Sequence, residues 1–315
     1  MMIKAIFTGV LLIAATAAPA QQLLVFPAVT DERPGVNGSL WVTTAMVIKT
    51  DPDDEVTVRR KWVCLADGGF VDDPATAPTW QLGAHAASGR LLLSLGGELL
   101  EGTGATAGAV ALEVEGGEVI AHSNIMDIRW GRYRPFYPEV FGQGQHVPAL
   151  RTPLLGPSHI PWLGGCRGNR CVENNIWQFL RNNIGIVNPN PEALIITGAV
   201  LPFGYAAGDG QVPGIGEWNG SPVVETFSIT VPAFGWKQFN WKSTVDYVGQ
   251  FTSFSPHTGF VISLTPDRED LPYYAYASVV FSPDPDTGVP EFSDPMFIPA
   301  EPGYIIPIIE ARNNP

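Results

Sequence analysis

Basic residues are scarce in this chain. Lys and Arg number 18 against 31 Asp and Glu, for a formal net charge of −13. Such a surface repels phosphate backbones and anionic headgroups, which argues against nucleic acid or an acidic membrane as a partner. Charge of either sign is low at 16%, while hydrophobic residues make up 45%, so the chain is not of the disordered kind. There are only three Cys and no Cys-x-x-Cys, which excludes a dense disulfide scaffold and a zinc ribbon. No apolar run is long enough for a stable membrane span once the first residues are removed.

Catalytic signatures are also missing. There is no Gly-x-Ser-x-Gly, no His-Glu-x-x-His and no Gly-rich phosphate loop leading into a helix. The five His, at 85, 122, 146, 159 and 257, stand singly in the sequence. Ser158-His159 lies in a Pro-flanked loop, and adjacent residues need not face each other. No pair of carboxylates stands out as a glycosidase pair. The expectation is a protein without an enzymatic site and without a cofactor.

Gly and Pro are plentiful, 34 and 29 of 315 residues. That punctuation suits many short strands joined by turns. The start reads as a secretory signal over 1–20: Lys4, an apolar run over 5–17, then Ala18-Pro19-Ala20 with Gln21 as the new N-terminus. Loss of Lys4 takes the charge from −13 to −14. This predicts a secreted or periplasmic protein.

The alternation of apolar residues predicts strands at 23–29, 40–48, 56–65, 80–82, 90–95, 109–114 and 119–128. In the strand at 56–65, the even positions Val56, Val58, Trp62 and Cys64 are expected to share one face, with Cys64 an inert buried thiol. In 109–114, Val110, Leu112 and Val114 face in, while Ala109, Ala111 and Glu113 face out. Further strands follow at 179–187, 194–201, 223–231, 232–239, 257–264 and 274–281, and all but 223–231 answer one in the first half. The organisation read from this is a first β-sandwich module at 21–130, a connecting segment at 131–175, a second module at 176–300 and a tail at 301–315. The connector is rich in Pro and aromatics and is expected to pack across both modules, with an extended piece at 146–150. Within it, Cys166 and Cys171 bracket a short polar loop and predict a local disulfide. The tail segment 304–309 would dock as an edge strand.

Two short patterns carry a resemblance. Gly38-Ser-Leu-Trp-Val-Thr43 leads into the first opening strand. Val140-Phe-Gly-Gln143 is followed, after a Gly-rich segment, by Phe179-Leu-Arg-Asn-Asn-Ile-Gly-Ile-Val-Asn-Pro189. These resemble tandem immunoglobulin-like β-sandwich domains of secreted bacterial proteins. The resemblance implies an all-β fold of two antiparallel sandwiches and an export route, and no activity. The first copy departs from the pattern: Ile48-Lys49-Thr50 stands where the group has Val-Asn-Pro.

The candidate binding residues are few. A carbohydrate platform needs flat exposed aromatics, and Trp218, Trp236 and Trp241 are the candidates, set against the reading that most aromatics fill cores. The turns holding Asp51, Asp53 and Asp54, and Asp284 and Asp286, could offer carboxylates to calcium, although Asp and Pro are also ordinary turn residues. The functional expectation is a structural, adhesive or ligand-binding protein outside the cytoplasm, with glycans or cell-surface proteins as partners. A carbohydrate-binding module is the alternative, and an extracellular hydrolase stands behind it.

Overall fold

The computed structural model describes residues 21–34, 40–83, 90–93, 97–127, 144–163, 180–203, 216–218, 221–223, 225–241, 259–281 and 296–303. The described residues contain strands and no helix. In the first half these are β1 (Gln22–Thr30), β2 (Arg33–Pro34), β3 (Leu40–Lys49), β4 (Val56–Cys64), β5 (Phe70–Val71), β6 (Thr79–Leu82), β7 (Arg90–Leu93), β8 (Ala107–Glu115), β9 (Val119–Asp127) and β10 (Gly144–Pro148). The second half holds β11 (Ser158–Leu163), β12 (Leu180–Asn188), β13 (Leu194–Phe203), β14 (Gly216–Trp218), β15 (Ser221–Val223), β16 (Glu225–Val231), β17 (Gly235–Trp241), β18 (Gly259–Pro266), β19 (Tyr274–Phe281), β20 (Met296–Pro299) and β21 (Glu301–Pro302).

They form four larger antiparallel sheets and one two-stranded ribbon, β14–β15, and none closes into a barrel. Sheet I runs β1-β8-β4-β5, with β6 also on β4; sheet II runs β10-β9-β3-β2, with β7 also on β3. Sheet III runs β16-β13-β18-β11-β21, and sheet IV runs β17-β12-β19-β20. Taken in chain order, the long strands of sheets III and IV occupy the same places as those of sheets I and II. Thus β11-β18-β13-β16 matches β1-β8-β4-β6, and β20-β19-β12-β17 matches β10-β9-β3-β7.

An immunoglobulin sandwich keeps its first, second, fifth and fourth strands in one sheet and its third, sixth and seventh in the other. Here the inner pairs agree: β3 lies on β7, and β4 on β8. The outer strands differ from that order, since β1 pairs with β8 and β9 pairs with β3.

Sheets I and II share one apolar core. Phe26, Val47, Val58, Val110, Leu112 and Val119 are among its fully buried members. Sheets III and IV share a second, with Ile160, Ile184, Ile186, Leu194, Val200 and Ile262. Strand alternation produces both, because every second β-branched or Leu side chain faces the opposing sheet.

Three local features depart from simple alternation. In β1 the register on β8 shifts between Phe26 and Val29, where Pro27 sits. Proline cannot donate to the ladder, so a bulge suits it. In β11 the register on β18 shifts in the same way between Ile160 and Leu163, around Pro161. Sequence punctuation reads this second segment as loop; it is a strand with a proline bulge. The third feature is a bulge in β4 between Arg60 and Trp62. It reverses the faces of the strand: Val56 and Val58 enter the first core, whereas Trp62 and Cys64 turn outward and Val63 takes the inward place. The expectation that Val56, Val58, Trp62 and Cys64 share a face is therefore wrong, because one inserted residue shifts a period of two by half a cycle.

Arg60 is left on the core side by that bulge. Its guanidinium binds both carboxylate oxygens of Asp72 at 2.8 Å and donates to the carbonyls of Leu99 and Glu101. The fork thereby satisfies a charge that would otherwise be costly to bury.

The segment read as a connector contributes a strand to each half. β10 extends sheet II, and Leu150 exchanges hydrogen bonds of 2.8 Å with Val25 of β1. β11 extends sheet III. Cys166 and Cys171 lie outside the described residues, as do Asp284, Asp286 and the tail segment 304–309.

Candidate functional site

The outward face of sheet I is built from small residues where β8 crosses it: Ala107, Ala109 and Ala111 are all buried. Sequence alternation places two of these outward, as observed, but they face protein and not solvent. Small side chains leave room for a second layer, and the outward face of sheet IV supplies it. Val25, Trp62, Cys64 and the three alanines pack with Val187, Trp236 and Tyr274 in one apolar cluster. The clue available in the sequence was that the outward row of β8 is alanine, not Lys, Thr or Glu, until Glu113.

Sheet IV presents its side of the seam as rows across three strands. Val187 of β12 lies between Trp236 of β17 and Tyr274 of β19. In the next row Gly185 lies beneath Tyr276, and a Cβ at Gly185 would come within 2.0 Å of that ring. Only glycine lets Tyr276 lie flat across the strand. Tyr276 also stacks on Phe297, with centroids 5.1 Å apart.

Polar groups at the seam find partners within it. The Trp236 indole N–H donates to the Pro27 carbonyl at 2.8 Å, a group freed by the β1 bulge, and lies 3.2 Å from the Tyr276 hydroxyl. Leu65 N–H donates to Phe234 O at 3.1 Å, and Trp236 N–H donates to Leu65 O at 2.8 Å. Ser278 donates to the Gln145 side chain at 2.7 Å. The Cys64 thiol donates to Asn188 O at 3.4 Å. Burial pushes that thiol well above its ordinary range. Burial likewise raises Tyr276, and takes Tyr274 and Tyr273 up to about 12. Cys64, Tyr274 and Tyr276 at the seam are thereby kept neutral near neutral pH, and the Arg33 guanidinium lies over the Trp236 ring, 5.7 Å from its centroid.

The three nominated tryptophans have different fates. Trp236 is 3% exposed and has its indole N–H engaged inside the seam, so the expectation of an open binding platform there fails. Trp218 ends β14 and Trp241 ends β17; only their strand positions are described.

The acidic turn after β3 is organised around a cation of the chain itself. Asp51 Oδ1 accepts from the Asp53 N–H at 2.9 Å, an ordinary turn contact. Lys49, 7% exposed, donates through Nζ to the carbonyls of Pro52 (2.8 Å), Asp54 (2.8 Å) and Gly83 (2.9 Å). Two carbonyls of the turn that holds Asp51, Asp53 and Asp54, those of Pro52 and Asp54, thus accept from an ammonium. Among the described residues no group of three or more His, Cys, Asp or Glu is placed to hold a metal ion.

Ser158 and His159, adjacent in sequence, face opposite sides of β11. Ser158 is buried with its hydroxyl 2.7 Å from that of Tyr273, and His159 Nδ1 lies 3.1 Å from Gly303 O. Two histidines that stand apart in the sequence are brought together instead. His122 of β9 and His146 of β10 have ring centroids 4.8 Å apart on the outward face of sheet II. Partial burial, and then the neighbouring ring, hold His122 below the usual imidazole range. Sequence spacing concealed this pair because the strands carrying it are joined by a long intervening segment.

No family model, no curated protein and no solved structure matches this chain. No helix among the described residues is long and apolar enough to cross a membrane.

Proposed function

We propose that the chain is an exported, non-enzymatic protein made of two tandem copies of one immunoglobulin-like β-sandwich module, serving as a rigid structural or adhesive element outside the cytoplasm. The single observation behind this reading is the seam. It uses Trp62, Trp236, Tyr274 and Tyr276, aromatics that a binding platform would display, to join the two halves. A joint that spends its aromatics on self-packing favours a spacer or scaffold over a lectin.

The repeat is supported by the common strand order and by the matched proline bulges at Pro27 and Pro161. The different order of the outer strands makes the module a variant of the immunoglobulin arrangement. The connecting segment then divides between the modules, with β10 closing the first and β11 opening the second. Among the described residues, the Cys64 thiol is sequestered and the Ser158 hydroxyl is bonded to Tyr273.

The test is a glycan array probed with residues 21–315, once with calcium and once with EDTA, beside fractionation of the producing cell. The reading expects a blank array under both conditions and recovery outside the cytoplasm. Saturable binding to a related set of glycans would replace it with a carbohydrate-binding module, and binding lost in EDTA would restore calcium. Retention in the cytoplasm would remove the export role.

A further inference from the structure

The outward face of sheet II carries a donor set that the seam and the cores do not use. Met46 of β3 lies directly opposite His122 of β9. His122 lies opposite Pro148 of β10, and His146 lies opposite Asn124, two residues along. Residues directly opposite one another in a sheet share a face, so Met46, His122, Asn124 and His146 stand together, away from the core residues Ala45, Val47 and Ala121. The two imidazoles are 4.8 Å apart, centroid to centroid, with planes tilted by 42°. A metal bound to two ring nitrogens at about 2 Å needs those nitrogens within roughly 4 Å of each other, which rings at this separation reach by small rotations.

We propose that Met46, His122 and His146 form a copper(I) site on the outward face of sheet II, with Asn124 as a positioning residue. Asn124 Oδ1 lies 3.3 Å from His146 Nδ1. A carbonyl oxygen only accepts, so Nδ1 carries the hydrogen and Nε2 keeps its lone pair for a metal. Such outer hydrogen bonds fix the tautomer of ligating histidines. Two imidazoles and a thioether are a soft, three-donor set. It suits copper(I) and disfavours calcium and magnesium, which require oxygen; zinc gains little from a thioether.

Silver(I) serves as the probe, because it mimics copper(I) without a reductant; it also binds thiols such as Cys64, so the Met46 signal and not total silver uptake is the readout. Residues 21–315 carrying methyl-labelled methionine are titrated with silver(I), and the Met46 methyl signal is assigned with Met46→Leu. The expected result is a Met46 shift that saturates. Affinity should fall about tenfold or more in His122→Ala and in His146→Ala, and less in Asn124→Ala. These positions face outward on a sheet, and an unchanged unfolding midpoint would confirm that each variant is folded. An unmoved Met46 signal, or a Met46 shift of equal strength in the His122→Ala/His146→Ala double variant, would overturn the proposal and assign the metal to other donors. Zinc(II) shifting Met46 as tightly as silver(I) would overturn the assignment to a soft metal.

Discussion

Lys49 and Asn188 are unlike in chemistry and alike in position. Each is the last residue of the second long strand of its half, β3 or β12, and each is buried. Lys49 Nζ donates to Pro52 and Asp54 in the turn that follows, and to Gly83 just beyond β6. Asn188 Nδ2 donates to Glu192 in its own following turn, and to Val231 and Pro232 at the end of β16. Since β6 and β16 hold the same place in their sheets, both side chains close the same gap between a strand end, its turn and a neighbouring edge strand. Lys49 thus does with an ammonium what Asn188 does with an amide. The fold leaves carbonyls unpaired at this corner, and the corner accepts either an amide or an ammonium.

Asn188 does more than Lys49. Its Oδ1 also accepts from Asn190 N (3.1 Å) and Nδ2 (2.6 Å), and its backbone carbonyl takes the Cys64 thiol of the first half. Asn188→Leu keeps the volume and removes every side-chain partner. Each buried polar group left unmet costs about 1–3 kcal/mol, so a loss of about 3–5 kcal/mol is expected in urea unfolding. A loss under about 1 kcal/mol would show that water replaces the amide.

Lys49→Met removes only the ammonium, and its three acceptors lie nearer solvent. The expected loss is smaller, about 2–4 kcal/mol by the same denaturation. Lys49→Asn sharpens the comparison. If the first-half corner is spaced for a long side chain, asparagine will not reach and the cost will match that of Lys49→Met. Full recovery by asparagine would mean that the two corners are interchangeable.

Most strands were legible in the sequence because their apolar alternation is regular. β8 shows it best: Val110, Leu112 and Val114 enter the core as read. The bulge in β4 was not legible. Arg60, Lys61 and Trp62 continue a plausible alternation, and only pairing with β8 shows the inserted residue. Trp236 was misplaced for a related reason. An amphipathic aromatic looks the same in sequence whether it faces a sugar or another sheet, and its partner Pro27 is 209 residues away. His122 and His146 were legible as residues and not as a pair, since strand neighbours are fixed by topology and not by spacing.

The seam separates the halves more sharply than the corners do. The outward face of sheet I is covered because the β4 bulge turns Trp62 and Cys64 outward; β13, its counterpart, pairs with β18 without a shift. Trp236→Phe keeps the ring packing at the seam and leaves the Pro27 carbonyl without its indole donor. A loss of about 1–3 kcal/mol is expected, read as a lower unfolding midpoint. If the midpoint does not move, the seam is held by apolar packing alone.

The smallest effect expected is the dependence on acid, and it should come from one half. On the outward face of sheet I, Glu113 receives Lys61 Nζ at 2.6 Å and the Arg59 guanidinium. Burial alone would raise the Glu113 carboxyl, but the bonds from Lys61 and Arg59 outweigh it and hold the carboxyl below its ordinary range. A carboxyl lowered by folding stabilises the native state above the unfolded carboxylate pKa of about 4.3, and that contribution is lost as pH falls through the folded value. At the equivalent place, β13 and β18 pair Thr197 with Thr265 and Ala199 with Ser263, which do not titrate there. Glu113→Gln should therefore flatten the fall in stability below about pH 4.3 while Thr197→Val leaves its slope unchanged, because proton uptake at Glu113 is what couples this face to pH. An unaltered slope in Glu113→Gln would place the acid sensitivity elsewhere and remove this difference between the halves.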